Sequence, residues 1–351
     1  GIMAADRWCT GSVIVDINLD GLPDIYVATA MKKGPGERKN LLFVNQGKDE
    51  AGNVTFKEMA QEYGIADPGN GMGAAFLDYD LDGDLDLYVL NNEQIIAKPT
   101  NFRPKVSDGS AVNNDAFYRN NGDGTFTNVT LEAGILYEGF GLGIAISDVN
   151  NDGWPDIYIS NDYTTNDILY INNQDGTFSN RSKEKLRHQS MFSMGSDISD
   201  YNNDGFPDIV TLDMLGENNY RKKTTISKNS YQTYISNEQW GYEYQHVRNM
   251  LHIGNGPDIP FSEIGFMAGM YQTDWSWSPL FVDMDNDGNR DLLITNGFPR
   301  DITDKDFANY LNLWDDNFMG YPSTNIIGGK ANITDWITDL YKTNKGTFSY
   351  Q

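Results

Sequence analysis

Cysteine is almost absent from this chain. Cys9 is the single one among 351 residues, so no intrachain disulfide can form. It sits in "DRWCTG", without the small apolar residues of a lipoprotein cleavage site, and reads as a buried, inert thiol. Histidine is nearly as scarce, and His188, His246 and His252 stand isolated in the sequence. There is no H-E-x-x-H, no G-x-S-x-G and no phosphate-cradling glycine loop, so the usual metallohydrolase, serine hydrolase and nucleotide-binding patterns are missing. No apolar run approaches the roughly 18 residues that a membrane-spanning helix needs, and direct membrane insertion is not expected. A signal peptide is also lacking, and the abrupt opening "GIMAADRW" reads as a processed or truncated chain. Positive charge is in short supply: 26 Lys and Arg face 50 Asp and Glu, a formal charge of -24. Such a surface disfavours nucleic acid and anionic membranes and attracts cations.

What is abundant is a repeat. "DYDLDGDLDLYVLNN", from Asp78, recurs as "DINLDGLPDIYVAT" from Asp16, "DVNNDGWPDIYISN" from Asp148, "DYNNDGFPDIVTLD" from Asp200 and "DMDNDGNRDLLITN" from Asp283. Five copies of D-x-[DN]-x-D-G-x-x-D start 62, 70, 52 and 83 residues apart. A fixed motif at a variable period means fixed elements with insertions in the loops between them. A short run of small and apolar residues precedes each copy ("GSVIV", "GAAFL", "GIAIS", "GSDIS", "WSPLFV"), and a β-branched run follows it. Both are too short and too β-branched for helices. A third element follows, best seen in "NNGDGTF" and "NNQDGTF", which read as two strands around a glycine-rich hairpin turn. Each unit is therefore four antiparallel strands, A to D, with the acidic loop between A and B. Repeated four-stranded units predict an all-β fold, a β-propeller. Five blades are visible, at about 11–71, 72–141, 142–193, 194–275 and 276–351, in one domain over 1–351. The last C–D hairpin is expected at Tyr341–Ser349.

The acidic loop has the chemistry of a hard-cation site. Oxygens fall at loop positions 1, 3, 5 and 9, a glycine at 6 makes the sharp turn, and position 7 offers a carbonyl. The expected ligands are Asp16, Asn18, Asp20, Leu22 and Asp24; Asp78, Asp80, Asp82, Asp84 and Asp86; Asp148, Asn150, Asp152, Trp154 and Asp156; Asp200, Asn202, Asp204, Phe206 and Asp208; and Asp283, Asp285, Asp287, Asn289 and Asp291. Ca²⁺, which takes six to eight oxygens at roughly 2.3–2.6 Å, suits such a loop, and up to five ions are expected. The lack of Cys and His in the loops speaks against zinc or copper. An EF-hand would need a bidentate Glu at position 12, where this chain has Val27, Val89, Ile159, Thr211 and Ile294. Polar hairpin turns alone would not explain an Asp at position 9 in all five copies.

These loops, lying between strands and preceded by G-x-x-x-type strands, resemble the FG-GAP/VCBS repeats of integrin-α-like β-propellers over the whole chain. "TDWSWSPLFVDMDNDGNRDLLITNGFPRD" and the "NNGDGTF" hairpins resemble more closely cartilage acidic protein and its bacterial surface relatives. The resemblance implies a secreted or surface-exposed binding module, with calcium stabilising the A–B loop face and ligands on the other. It also implies seven blades, where five are visible here. Relatives stand on bacterial outer surfaces, some beside nutrient-uptake complexes. The single cysteine suits a bacterial surface better than an animal secretory pathway.

Strand alternation puts A–B and C–D connections on one side and B–C and D–A connections on the other. The second side carries the variation: insertions at Asn91–Asp115, Asp213–Asn249 and Gly297–Thr338. The middle one brings Arg221, Tyr231, Tyr234, Trp240, Tyr242 and Tyr244, a set suited to recognising a protein or a glycan. The competing reading is that these aromatics pack the long loop onto the blades. Trp275 and Trp277 are expected to fill the space between blades. A non-catalytic surface propeller is the leading expectation. Two alternatives are a subunit of an outer-membrane uptake or adhesion assembly, and a polysaccharide lyase or hydrolase using Arg221, Tyr242 or His246.

Overall fold

The structure is a computed structural model. It describes residues 6–32, 34–93, 102–225 and 230–297, together with Ile2, Ala4 and 304–306. The expected hairpin at Tyr341–Ser349 and nearly all of the third insertion lie outside these residues. Two compact units are distinguished, one of residues 1–219 and 227–298, the other of 220–226 and 299–351.

The first unit is built from successive four-stranded antiparallel sheets. Blade one contains β1 (Trp8–Val15), β2 (Asp24–Ala30), β3 (Leu41–Lys48) and β4 (Val54–Glu58), followed by a helical turn, α1 (Ala60–Tyr63). Blade two contains β5 (Gly71–Leu77), β6 (Asp86–Asn91), β7 (Ala116–Asn120) and β8 (Phe126–Asn128). Blade three contains β9 (Gly141–Ser147), β10 (Asp156–Asn161), β11 (Ile168–Asn172) and β12 (Phe178–Asn180), then α2 (Ser182–Lys185) and a short strand, β13 (His188–Ser190). Blade four begins with β14 (Ser196–Ser199) and β15 (Asp208–Thr211). Its insertion holds α3 (Asn219–Thr224), α4 (Tyr231–Trp240) and β16 (Tyr244–His246), and the sheet resumes with β17 (Met250–Ile253) and β18 (Ser262–Glu263). Of blade five, β19 (Ser276–Val282) and β20 (Asp291–Asn296) are described. In every complete sheet the spatial order is the sequence order, so each A–B–C–D meander is confirmed as read.

Alternation along strand B explains why its run is apolar on both faces. Leu87 and Val89 of β6 pack into a core shared with Val15, Tyr26, Leu42 and Ile65 of blade one. Tyr88 and Leu90, pointing the other way, join Ile157, Ile159, Tyr170 and Phe178 of blade three. The same pattern continues between blades three and four and between four and five. A strand sandwiched by two neighbours has no solvent face, so "DLYVL" carries no polar alternation.

The glycines that open the A strands have a packing reason. Consecutive A strands β1, β5, β9, β14 and β19 lie side by side. A Cβ on Gly11 would come within 2.8 Å of the Met72 carbonyl, and one on Gly195 within 2.5 Å of the Trp277 carbonyl. Backbone meets backbone there, and any side chain would push the blades apart.

Two expectations fail locally. Cys9 is exposed rather than buried, because it lies near the start of β1, where the first fully buried position is Val15. Trp277 does not fill an inter-blade gap with its ring. It is 40% exposed, stacks on Trp275 at 5.9 Å and donates Nε1–H to the Gly297 carbonyl.

Candidate functional site

The five acidic loops share one conformation. The residue at position 4 (Leu19, Leu81, Asn151, Asn203, Asn286) and the glycine at position 6 both take positive φ. The glycine was legible from sequence, whereas the left-handed residue at position 4 was not, since Leu is a poor signal for it. In the first loop the Asp16 carboxylate accepts from Asp20 N–H at 3.0 Å and Gly21 N–H at 2.8 Å, and Asp20 accepts from Leu22 N–H at 2.8 Å. The third, fourth and fifth loops repeat these bonds.

Position 9 is more than a candidate ligand. In all five loops its carboxylate accepts from the N–H at position 2, as in Ile17 to Asp24 at 3.0 Å and Tyr79 to Asp86 at 3.1 Å. In blades one to four the other oxygen accepts from strand C or the residue just after it: Asn45, Asn120, Asn172 and Gly254 N–H, at 2.7 to 2.8 Å. Asp24, Asp86, Asp156 and Asp208 are all fully buried. Each therefore pins loop A–B to strand C. Asp291 is exposed and has only the local bond described.

The second loop differs most. The carboxylates of Asp78, Asp80 and Asp86 have oxygens within 4.8 Å of one another, as do those of Asp283, Asp285 and Asp287. Asp78 Oδ1, Asp80 Oδ1 and Asp84 Oδ1 are buried without a hydrogen-bond partner. Burial is the largest influence on Asp86 and outweighs its two N–H donors, pushing its carboxyl up to about 8, with Asp80 and Asp84 adding to the rise. Burial raises Asp156 to about 7 and Asp208 to about 6 in the same way. Converging, unpartnered, all-oxygen donors fit a hard divalent cation, whose charge would offset both the burial and the mutual repulsion.

A second buried set lies at the opposite end of blades one to four. The residue just before strand C is Asn40, Asp115, Asp167 or Asn249, and each is buried. It accepts from a backbone N–H of strand B or of the second residue after it: Thr29, Asn91, Asn161 and Asp213, all at 2.8 Å. Tyr88 donates its hydroxyl to Asp115, and Tyr158 donates to Asp167, both at 2.8 Å. In blade one the bond reverses, and Asn40 Nδ2 donates to Tyr26 Oη at 3.0 Å. Burial lifts Asp115 and Asp167 to about 7. The repeated [ND]-before-apolar pattern was the available signal for these residues.

On the variable side, the expected ligand residues separate. Arg221, on α3, belongs to the second unit. Tyr242 is buried, packs edge-on to Phe102 at 5.7 Å and lies beneath Lys105, so it joins the first and second insertions as packing. Trp240 is half-buried at the end of α4. Tyr231, Tyr234 and Tyr244 stay exposed and stack as a ladder, with centroids 6.3 and 5.0 Å apart. Tyr234, Tyr244, Ser230, Thr233, Asn237, Gln245 and His246 line a cavity of about 80 Å³ between α4 and β16.

The histidines, isolated in sequence, are neighbours in space. β13 pairs in parallel with β16, which brings the His188 and His246 rings to 5.7 Å, and His252 lies 6.3 Å from His188. Arg248 Nη2 donates to Glu263 Oε2 at 2.5 Å and lies 3.2 Å from His188 Nε2. Burial alone would raise Glu263, but the bonds from His188 and Arg248 outweigh it and hold the carboxyl well below its usual range. Complete burial lowers His252 to about 4. The cluster ties β13, β17 and β18 together, and His188 is committed to its Arg248 and Glu263 partners.

The family model of the FG-GAP-like repeat matches residues 16–89, 106–159 and 148–211, just over half of the chain. Human integrin alpha-7 is 35% identical over 92 residues, 23% of this chain and 8% of that protein. Mouse integrin alpha-7 is 34% identical over the same length, again 23% and 8%. The chain thus spans less than a tenth of the length of these curated relatives. Among solved structures, an Agrocybe aegerita lectin, described as recognising non-reducing terminal N-acetylglucosamine, aligns with a TM-score of 0.40 at 17% identity, over 83% of this chain and 60% of its own. The V. cholerae biofilm matrix protein Bap1 aligns with a TM-score of 0.30 at 14% identity, over 73% and 39%. The exotype rhamnogalacturonan lyase YesX aligns with a TM-score of 0.35 at 10% identity, over 84% and 54%.

Proposed function

Taking as premise that the chain belongs to the FG-GAP-like repeat family, we propose that it is a calcium-stabilised, non-catalytic surface propeller that engages a protein or glycan through its variable face. The observation that carries the calcium assignment is the second loop, where buried oxygens of Asp78 and Asp80 without donors converge with Asp86, and Asp84 Oδ1 is a third without a partner. One cation there satisfies Asp78 and Asp80 together and offsets the mutual repulsion of the carboxylates. The remaining loops repeat its turn geometry, so the same ion is assigned to each of the five. Magnesium is a poorer match, since it demands near-octahedral geometry and keeps its own waters.

The surface role rests on family membership and on the division of labour between the two ends of each blade. One end is spent on acidic loops, while the other bears the insertions with exposed tyrosines. An extracellular or bacterial cell-surface location follows from this reading. So does the alternative of docking into an outer-membrane uptake or adhesion assembly, and the likeness to cartilage acidic protein is retained with it. No helix among the described residues is long and apolar enough to cross a membrane.

Calorimetric titration of the chelator-treated chain with Ca²⁺ tests the assignment. Three to five sites, together with a large rise in melting temperature, are the expected result. Equal melting curves in excess EGTA and excess Ca²⁺ would refute structural calcium.

A further inference from the structure

The cleft between α4 and β16 has features that packing alone does not require. Asn237 and Gln245 form part of its wall and are 1% and 3% exposed. Asn237 Oδ1 and Gln245 Oε1 have no donor partner, although Gln245 Nε2 donates to the Thr165 carbonyl at 3.0 Å. A buried acceptor without a donor is destabilising, and two beside one cavity are unusual in a folded protein. A ligand that brings O–H or N–H donors would relieve both.

The rest of the lining narrows the chemistry. The phenols of Tyr244 and Tyr234 donate to Glu238 Oε1 at 2.8 and 3.3 Å, which fixes the two rings in their parallel stack. Tyr231, next to the lining rather than part of it, continues the stack on α4 and is 78% exposed, leaving an aromatic face open to solvent. Ser230 and Thr233 add hydroxyls at the start of the helix. His246, at the other wall, is shifted toward its neutral form by burial first, with the neighbouring His188 and Arg248 adding to the shift. Among the described residues no Lys or Arg lines the cleft, and the Glu238 carboxylate held by the two phenols disfavours an anionic ligand.

We propose that this cleft binds a neutral pyranose. The C–H face of the sugar stacks on the tyrosine ladder, and its hydroxyls donate to Asn237 and Gln245 and exchange bonds with Ser230, Thr233 and His246. Aromatic faces combined with neutral amides and hydroxyls are the composition that a sugar, having one apolar face and a donor-rich rim, calls for. A cavity of about 80 Å³ admits the edge of one ring rather than a folded peptide segment. This inference rests on the proposed role of the variable face as the binding face.

The test is a panel of neutral gluco-, galacto- and manno-oligosaccharides presented to the full chain in Ca²⁺, with calorimetric titration of any ligand retained. Binding of at least one, weakened tenfold or more by Tyr231→Ala and by Tyr234→Ala, is expected, with melting temperatures held within a few degrees because both residues are exposed. Trp8→Ala, at an exposed aromatic on β1, should bind as the unaltered chain does. Failure of the whole panel to bind, or binding that survives both tyrosine substitutions, would overturn the inference. If the Ca²⁺-dependent rise in melting temperature persists in that case, only the sugar site fails. If that rise is also absent, the calcium reading fails separately.

Discussion

The side-chain amide of Asn151 donates to the Gly205 carbonyl at 2.9 Å, tying the acidic loop of blade three to that of blade four. Asn203 repeats the link one blade on, donating to the Gly288 carbonyl at 3.2 Å. Both asparagines hold left-handed φ, 57° and 59°, so one residue type at position 4 satisfies the turn and bridges the blades. Leu19 and Leu81 occupy the same position with φ of 56° and 58°, and they offer no amide. Leu81→Asn should therefore stabilise the chain by about 1 kcal/mol, since a left-handed conformation costs most non-glycine residues about 1–2 kcal/mol. Asn151→Leu should destabilise it by at least as much. Urea midpoints for the two variants check both signs.

Asp80 and Asp86 should behave differently although both are expected ligands. Asp86 accepts two buried backbone N–H groups, and Asp86→Ala strands them at about 1–3 kcal/mol each. That loss should appear with or without Ca²⁺. Asp80 has an oxygen without a donor, so Asp80→Asn should leave the melting temperature in EGTA unchanged or higher while reducing the Ca²⁺-induced rise. Paired melting curves in EGTA and in Ca²⁺ separate the two roles.

Stability should fall as pH rises through about 7. Asp115 and Asp167 are lifted to about 7 by burial, with Asp67 adding to the first and Asp213 to the second. An unfolded Asp titrates near 4, so between these values the folded state binds more protons, and raising the pH favours unfolding. His252 acts at the acid end: lowered to about 4, it supports the fold above about 6.5 and loses that support as pH falls toward 4. Asn already fills the equivalent place in blades one and four, as Asn40 and Asn249. Asp115→Asn should consequently fold and flatten the decline in melting temperature between about pH 4 and 7.

Gly195→Ala should destabilise by about 1–3 kcal/mol, the usual cost of forcing extra volume into a packed site. Its new Cβ would meet the Trp277 carbonyl at 2.5 Å, a backbone atom that can yield only by shifting β19. Gly73→Ala, on the A strand of blade two, has nothing within 4 Å and should cost far less. Denaturation midpoints of the pair distinguish close approach from a general intolerance of side chains on strand A.

The repeat itself fixed most of the blade. D-x-[DN]-x-D-G-x-x-D sets the A–B turn through bonds that span at most eight residues, so neighbours in sequence decide it. The apolar B strands and the Gly-rich C–D turns were legible for the same reason: each is a local pattern. Only the tertiary structure showed that Asp24, Asp86, Asp156 and Asp208 reach strand C, because their partners lie 16 to 46 residues away. It alone gathered the histidines: the parallel pairing of β13 with β16 draws His188 and His246 together across an insertion, and β17 sets His252 beside His188. It also divided the tyrosines, burying Tyr242 and leaving Tyr231, Tyr234 and Tyr244 on a common ladder. Burial and distant pairing depend on what packs above a residue, and the composition of the insertion held no record of that.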